Sequence, residues 1–193
     1  MLEARGLGCI RGGRVLFENL SFAVEAGQLW VVRGANGSGK TSLLRILAGL
    51  SLAEEGELAW SGERESVLWV GHRVAVSTGL TARENLEFMA ALEGDDAGAT
   101  AAVLEAVGLG GFSEIRAGRL SEGQVRRIAL ARLASSTRRL WLLDEPLTSL
   151  DEASTRWFEA QLLRQLERGG AVVMATHREL PDSLQGWTLW LGT

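Results

Sequence analysis

The chain has 193 residues, a formal net charge of −4 and a hydrophobic fraction of 46%, the make-up of one folded domain, or a domain with a subdomain, and not of a disordered segment. Interspersed charges of both signs give no electrostatic case for a nucleic-acid partner, and the lone Cys9 excludes an intramolecular disulfide and a cysteine zinc cage while suiting a reducing cytosol. Charges and glycines interrupt the first twenty residues where a signal peptide needs an apolar run, and no uncharged stretch approaches the roughly 20 residues of a membrane span, so any membrane role is expected to come through a partner chain.

In chain order, Val15 to Val24 and the turn Glu25-Ala-Gly27 read as short antiparallel strands, and Gln28 to Arg33 as an apolar strand leading into Gly34-Ala-Asn-Gly-Ser-Gly-Lys-Thr41. Ser42 to Gly49 has helically spaced leucines and a terminating glycine. Gly56–Trp60 and Ser66–Val70 suggest further strands. Thr81-Ala-Arg-Glu84 is a capping box opening one helix, and alanine-rich Ala97 to Val107 forms another, so that Thr81 to about Leu109 reads as a helical insertion. Beyond it come a helix at Ser121–Ala134, a buried strand at Leu140–Leu143, a helix at Glu152–Arg168, a buried strand at Ala171–Ala175 and an edge strand at Trp187–Leu191. Strands alternating with helices imply a parallel sheet with right-handed crossovers. The fold class is α/β: a parallel core sheet, an antiparallel β edge and an inserted helical subdomain.

Gly34 to Thr41 matches G-x-x-x-x-G-K-[ST], a phosphate-binding loop, with the required strand before it and helix after it. Its glycines let the backbone N–H groups of Gly34, Ala35, Asn36, Gly37, Ser38, Gly39 and the start of the helix at Ser42 turn toward an anion. Lys40 reaches phosphate oxygens and Thr41 offers a hydroxyl to Mg²⁺. Lys40 is also the only lysine beside nineteen arginines, kept where a compact ammonium fits and a planar guanidinium does not. About a hundred residues on, Leu140-Trp-Leu-Leu143 ends in Asp144 and Glu145, which puts a carboxylate at the carboxyl end of a parallel strand, where open α/β sheets bind ligands. Asp144 then belongs to the Mg²⁺ shell, directly or through water, and Glu145 polarises an attacking water.

With these segments in place, the chain resembles, over essentially its whole length, the nucleotide-binding domain of the ATP-binding cassette (ABC) ATPases. Leu120-Ser-Glu-Gly-Gln124 is similar to the family signature, with Glu122 where the commonest form has glycine; Ser149-Leu-Asp151 is similar to the D-loop, and His177 to the switch histidine. The resemblance implies a P-loop NTPase that binds ATP and Mg²⁺, with Glu145 as general base and His177 at the γ-phosphate. It implies a head-to-tail homodimer in which Ser121, Gly123, Gln124 and Asp151 of a second copy complete each ATP sandwich. One domain, 1–193, is expected, with core and β edge in 1–76 and 119–193 and a helical subdomain at about 77–118. Two positions depart from the pattern. His72 stands where a glutamine usually senses Mg²⁺ and water, a place where an imidazole can accept or donate a hydrogen bond; Arg11 stands where an aromatic usually stacks on adenine, a role a guanidinium can fill.

Soluble members of the class carry tandem cassettes, long coiled-coil insertions or basic surfaces, and none of these is present, which favours a transporter subunit. The compact length, Gly71-His72, Arg11 and Lys40 to Gly49 together resemble the ATP-binding subunits of the cytochrome c maturation system, often called the haem exporter. That resemblance implies an ATPase on the cytoplasmic face of the inner (plasma) membrane, touching the membrane only through two integral subunits and working with a haem chaperone. The alternative is an exporter ATPase for another cargo, a small hydrophobic compound or a lipid, or, further off, a soluble non-transport cassette.

Overall fold

The computed structural model of the chain describes residues 1–60, 67–95 and 98–192. β1 (Leu2–Arg11) and β2 (Arg14–Val24) form an antiparallel hairpin, and β1 pairs on its other side with β4 (Glu55–Trp60), giving the order β2-β1-β4. The sequence pattern shows β2 but not β1. The reason is a register shift between Ala4 and Leu7, where Gly6 takes a φ of 58°. This bulge resets the inward set from Leu2 and Ala4 to Leu7 and Cys9, so period-two alternation fails midway. Gly56 meets the bulge so closely that a Cβ there would lie 2.4 Å from the Gly6 carbonyl oxygen.

The second sheet is parallel throughout, in the order β5-β6-β7-β3-β8, from β3 (Leu29–Arg33), β5 (Val67–Val70), β6 (Leu140–Asp144), β7 (Ala171–Ala175) and β8 (Trp187–Trp190). Every residue of β6 and β7 is buried, as unbroken apolar runs inside a parallel sheet require. The strands expected at Leu140–Leu143, Ala171–Ala175 and Trp187–Leu191 are present, the first extended by Asp144 and the last ending at Trp190 as an edge strand. Ser66 and Ala97, the first residues of an expected strand and helix, lie outside the described residues.

The described residues group into two compact units, Met1–His72 with Arg138–Glu145 and Leu163–Thr193, and Arg73–Thr137 with Pro146–Leu162. In the first, α1 (Lys40–Leu47) lays Leu43, Leu44 and Leu47 against Leu142 and Val173 of the parallel sheet. Each fully buried leucine is worth about 1.5–3 kcal/mol. The helix stops at Gly49 (φ 68°), whose N–H donates to Ile46 O at 2.9 Å while Leu50 N–H donates to Arg45 O at 2.8 Å.

In the second unit, α2 (Ala82–Glu93), α3 (Thr100–Ala106) and α4 (Glu122–Ser135) share a core that includes Leu86, Leu104, Leu109 and Ile128. The capping box expected at Thr81 forms: Glu84 N–H donates to Thr81 Oγ1 at 3.1 Å and Thr81 N–H to Glu84 Oε2 at 2.8 Å. Asn85 is buried, receiving Ser77 N–H and donating to the carbonyls of Ser77, Leu80 and Thr81, which fixes the approach to α2. Arg132 of α4 pairs with Glu93 of α2. α5 (Glu152–Glu167) begins in this unit.

Leu44→Ala, which empties a fully buried position, should lower the unfolding free energy by about 2–5 kcal/mol, whereas Phe88→Ala, at a residue 59% exposed, should stay within about 0.5 kcal/mol of the parent in urea denaturation.

Candidate nucleotide site

The site begins where β3 ends. Leu29, Val31 and Val32 are buried, so β3 is held between β7 and β8 and delivers Gly34 to the carboxyl edge of the sheet. The loop then folds on glycines at positive φ: Gly34 (146°), Gly37 (80°) and Gly39 (103°). At Gly34 space is as restrictive as φ, because a Cβ would lie 2.3 Å from Leu191 O and 2.6 Å from Ser38 Oγ. Ala35, Asn36 and Gly37 are exposed at the crest, and Ser38, Gly39 and Lys40 are buried beneath it.

Lys40 Nζ donates to Gly34 O at 2.8 Å and Ala35 O at 3.0 Å, so the ammonium is folded inside its own loop. One residue on, Thr41 Oγ1 donates to Asp144 Oδ2 at 2.8 Å, linking the first turn of α1 to the end of β6. Ser42 follows in that turn and lines the same cavity. Ser38 Oγ is buried without a hydrogen-bond partner among the described residues.

Parallel register brings the acidic groups to the same edge. Asp144 sits opposite Ala175 of β7 and is buried. Glu145 turns off the strand at φ 49°, an unusual conformation for a residue with a Cβ, while its N–H donates to Ala175 O at 2.9 Å. His177 follows β7, with Nε2 3.4 Å from Glu145 Oε1. Its turn is held by Arg33, which donates to Thr176 O at 3.0 Å, and by Arg178 N–H, which donates to Thr176 Oγ1 at 3.1 Å. His72, just beyond β5, lines the cavity too. Together Asn36, Gly37, Gly39, Lys40, Thr41, Ser42, His72, Asp144, Glu145 and His177 surround about 350 Å³, with Leu16 as the apolar wall.

Leu16 carried no signal in the sequence beyond that of an ordinary strand residue. It is the half-buried neighbour of Phe17, and both side chains pack against Gly39, where a Cβ would meet Leu16 Cβ at 3.0 Å. Arg11 does not line the cavity. Its guanidinium donates to Glu54 Oε1 at 2.8 Å, Ile10 O at 2.9 Å and Leu52 O at 3.2 Å.

The remaining predicted site residues belong to the second unit. Ser121 caps α4 in a second capping box, accepting Gln124 N–H at 3.3 Å and donating its own N–H to Gln124 Oε1 at 2.8 Å. Gly123 packs so near the loop before α5 that a Cβ would lie 2.7 Å from Ser149 O. Asp151 caps α5, its Oδ1 accepting Ser154 N–H at 2.8 Å, and Arg127 lies 3.8 Å from Oδ2. The Ser154 hydroxyl and N–H, with Arg127 behind them, hold the Asp151 carboxyl below its ordinary value. The carboxylate therefore adds stability above its unfolded pKa and loses it as pH falls through the depressed one.

The family model described as ABC transporter matches residues 17–148. The chain belongs to the ABC transporter family, among its ATP-binding subunits. Within the family it is 47% identical over 191 residues to a cytochrome c biogenesis ATP-binding export protein of Nitrosomonas europaea, covering 93% of this chain and 90% of the relative. The protein of the same description from Shewanella frigidimarina is 44% identical over 189 residues, covering 93% and 88%. Among solved structures, a dimeric ATP-binding cassette in a post-hydrolysis state with ADP and Pi superposes with a TM-score of 0.83 at 22% identity, covering 99% of this chain and 94% of that one. The expected ABC ATPase fold is thereby established.

Lys40→Arg keeps the charge but cannot fold a planar guanidinium onto the Gly34 and Ala35 carbonyls, and should cut ATP turnover by about 10²–10³-fold at unchanged circular dichroism. Asp151→Ala should cost about 0.5–2 kcal/mol as a lost cap when urea unfolding is followed near pH 6, and the penalty should shrink as pH falls below about 3.9.

Proposed function

We propose that this chain is the ATP-hydrolysing subunit of a membrane export complex serving cytochrome c biogenesis, with haem or a haem-loaded carrier as cargo. The observation that carries the enzymatic part is the convergence of Lys40, Thr41, Asp144, Glu145 and His177 on one cavity. The export part rests on family membership and on relatives 44% and 47% identical along nearly their full length.

In this reading the loop N–H groups and Lys40 bind and neutralise the β/γ-phosphates. Thr41 and Asp144 are hard oxygen donors, the chemistry that suits Mg²⁺ with water and phosphate completing its shell; when bound, the ion supplies charge neutralisation between the phosphates. Glu145 takes a proton from the attacking water. Its positive φ swings the carboxylate off the strand end, and His177 orients it and meets the γ-phosphate. His72 takes the place of the water-sensing glutamine. Ser121, Gly123, Gln124 and Asp151 of a second copy close over the nucleotide in a head-to-tail dimer.

No helix among the described residues is long and apolar enough to cross a membrane. On the likeness to export-complex ATP-binding subunits, the reading seats the chain on the cytoplasmic face through integral membrane subunits, with the segment from His72 to Asn85 as the docking region.

Glu145→Gln removes the general base and should lower turnover by about 10²–10⁴-fold while trapping an ATP-bound dimer. Light scattering in the presence of ATP reads the mass; a variant that stays monomeric at saturating ATP argues against the sandwich.

A further inference from the structure

We propose that Arg33 is a positioning residue for hydrolysis, holding the backbone on the amino side of His177 so that the imidazole is aimed at the Glu145 carboxylate. The inference rests on the hydrolytic reading above, in which His177 meets the γ-phosphate, and names a residue outside the cavity lining on which that contact depends.

Arg33 is the last residue of β3, and Gly34 of the phosphate loop follows it. Its own carbonyl accepts Leu191 N–H at 2.8 Å, which ties its backbone at the end of β8. Val32 lies opposite Ala175 in the parallel pairing with β7, which brings Arg33 beside the turn that follows that strand. The side chain is only 15% exposed; Nη1 donates to Thr176 O at 3.0 Å and Nη2 lies 3.7 Å from Glu179 Oε2. The guanidinium thus spans the turn, with one contact before His177 and one after it.

Thr176 O belongs to the peptide group that His177 N completes, and a peptide group is planar. Arg33 therefore holds the whole plane on the amino side of the His177 Cα. The plane on the other side is held by Arg178 N–H, which donates to the Thr176 hydroxyl at 3.1 Å. With both planes tied, the direction of the His177 Cα–Cβ bond is set. The ring depends on that direction more than on packing, because its side chain is 53% exposed, yet Nε2 stands 3.4 Å from Glu145 Oε1. The two contacts of Arg33 are unequal. Thr176 is fully buried, so its carbonyl receives a charge-assisted bond away from water, whereas Glu179 is almost fully exposed and its ion pair is screened.

The test uses the purified full chain and reads kcat, the Kd for ADP and the imidazole Cε1–H resonances, which two histidines make assignable through His177→Ala. ADP lacks the γ-phosphate, so its Kd reports the phosphate loop without His177. Arg33→Ala should lower kcat by about 10–100-fold, the scale of a misplaced reacting group. The ADP Kd should stay within about threefold of the parent, and the His177 resonance should shift while that of His72 stays in place. Arg33→Lys, which keeps a donor for Thr176 O, should recover most of the loss, and Glu179→Ala should stay within about twofold of the parent kcat. In a His177→Ala background, adding Arg33→Ala should cost nothing further, because residues that act as one unit are not additive. A further loss there, an ADP Kd weakened along with kcat, or an unmoved His177 resonance overturns the proposal. An unaltered kcat in His177→Ala alone is a different result, defeating the reading of His177 at the γ-phosphate on which the inference stands.

Discussion

Three strands running the same way, with β7 between β3 and β6, are the constraint from which the site is built. Parallel register forces their carboxyl ends to one edge, so the loop after β3, the carboxylate at the end of β6 and the histidine after β7 come within reach without any side chain having to search for another. The Thr41 to Asp144 hydrogen bond closes that arrangement across a sequence separation of 103 residues. It is strong because one partner is a buried carboxylate. Alone it would not order the loop, but it acts on a helix already fixed by Leu43, Leu44 and Leu47 in the core.

The edge also stores strain. Glu145 at φ 49° sits in a region that costs of order 1–3 kcal/mol for a residue with a side chain. Its N–H to Ala175 O bond continues the β6–β7 pairing and holds the residue there. Had the strand simply continued, the side chains of Asp144 and Glu145 would point to opposite faces. The positive φ breaks the alternation, so two successive carboxylates serve one cavity. The metal-binding and proton-accepting roles proposed for these two adjacent residues depend on that break in alternation.

Much of this was legible in the sequence, and the limits of legibility have physical causes. The phosphate loop, Asp144 and the buried strands announce themselves because the chemistry is local: glycines at fixed spacing, apolar runs of strand length, an acid at a strand end. β1 escaped because the bulge at Gly6 cancels its alternation. Leu16 escaped because its role depends on a fold-level contact with Gly39. Arg11 is the most instructive case. The family resemblance gives its position a base-stacking role, while in the structure its guanidinium pairs with Glu54, 43 positions away. A residue's chemical capacity is written in the sequence; the partner it meets in the fold is not.

The distribution of the site residues between the two compact units bears on how hydrolysis becomes work. The loop, both acids and both histidines belong to the first unit; Ser121, Gly123, Gln124 and Asp151 belong to the second. The second set is preorganised for its own reasons, since Ser121 and Asp151 are helix caps and Gly123 is dictated by the nearby Ser149 carbonyl. In a head-to-tail pair, each nucleotide contacting the first set of one copy and the second set of the other would tie together two compact units, one from each copy, and the two nucleotides of the pair would engage all four. Loss of the γ-phosphate would remove the shared ligand, and the contacts most weakened would be those between copies rather than those within either fold.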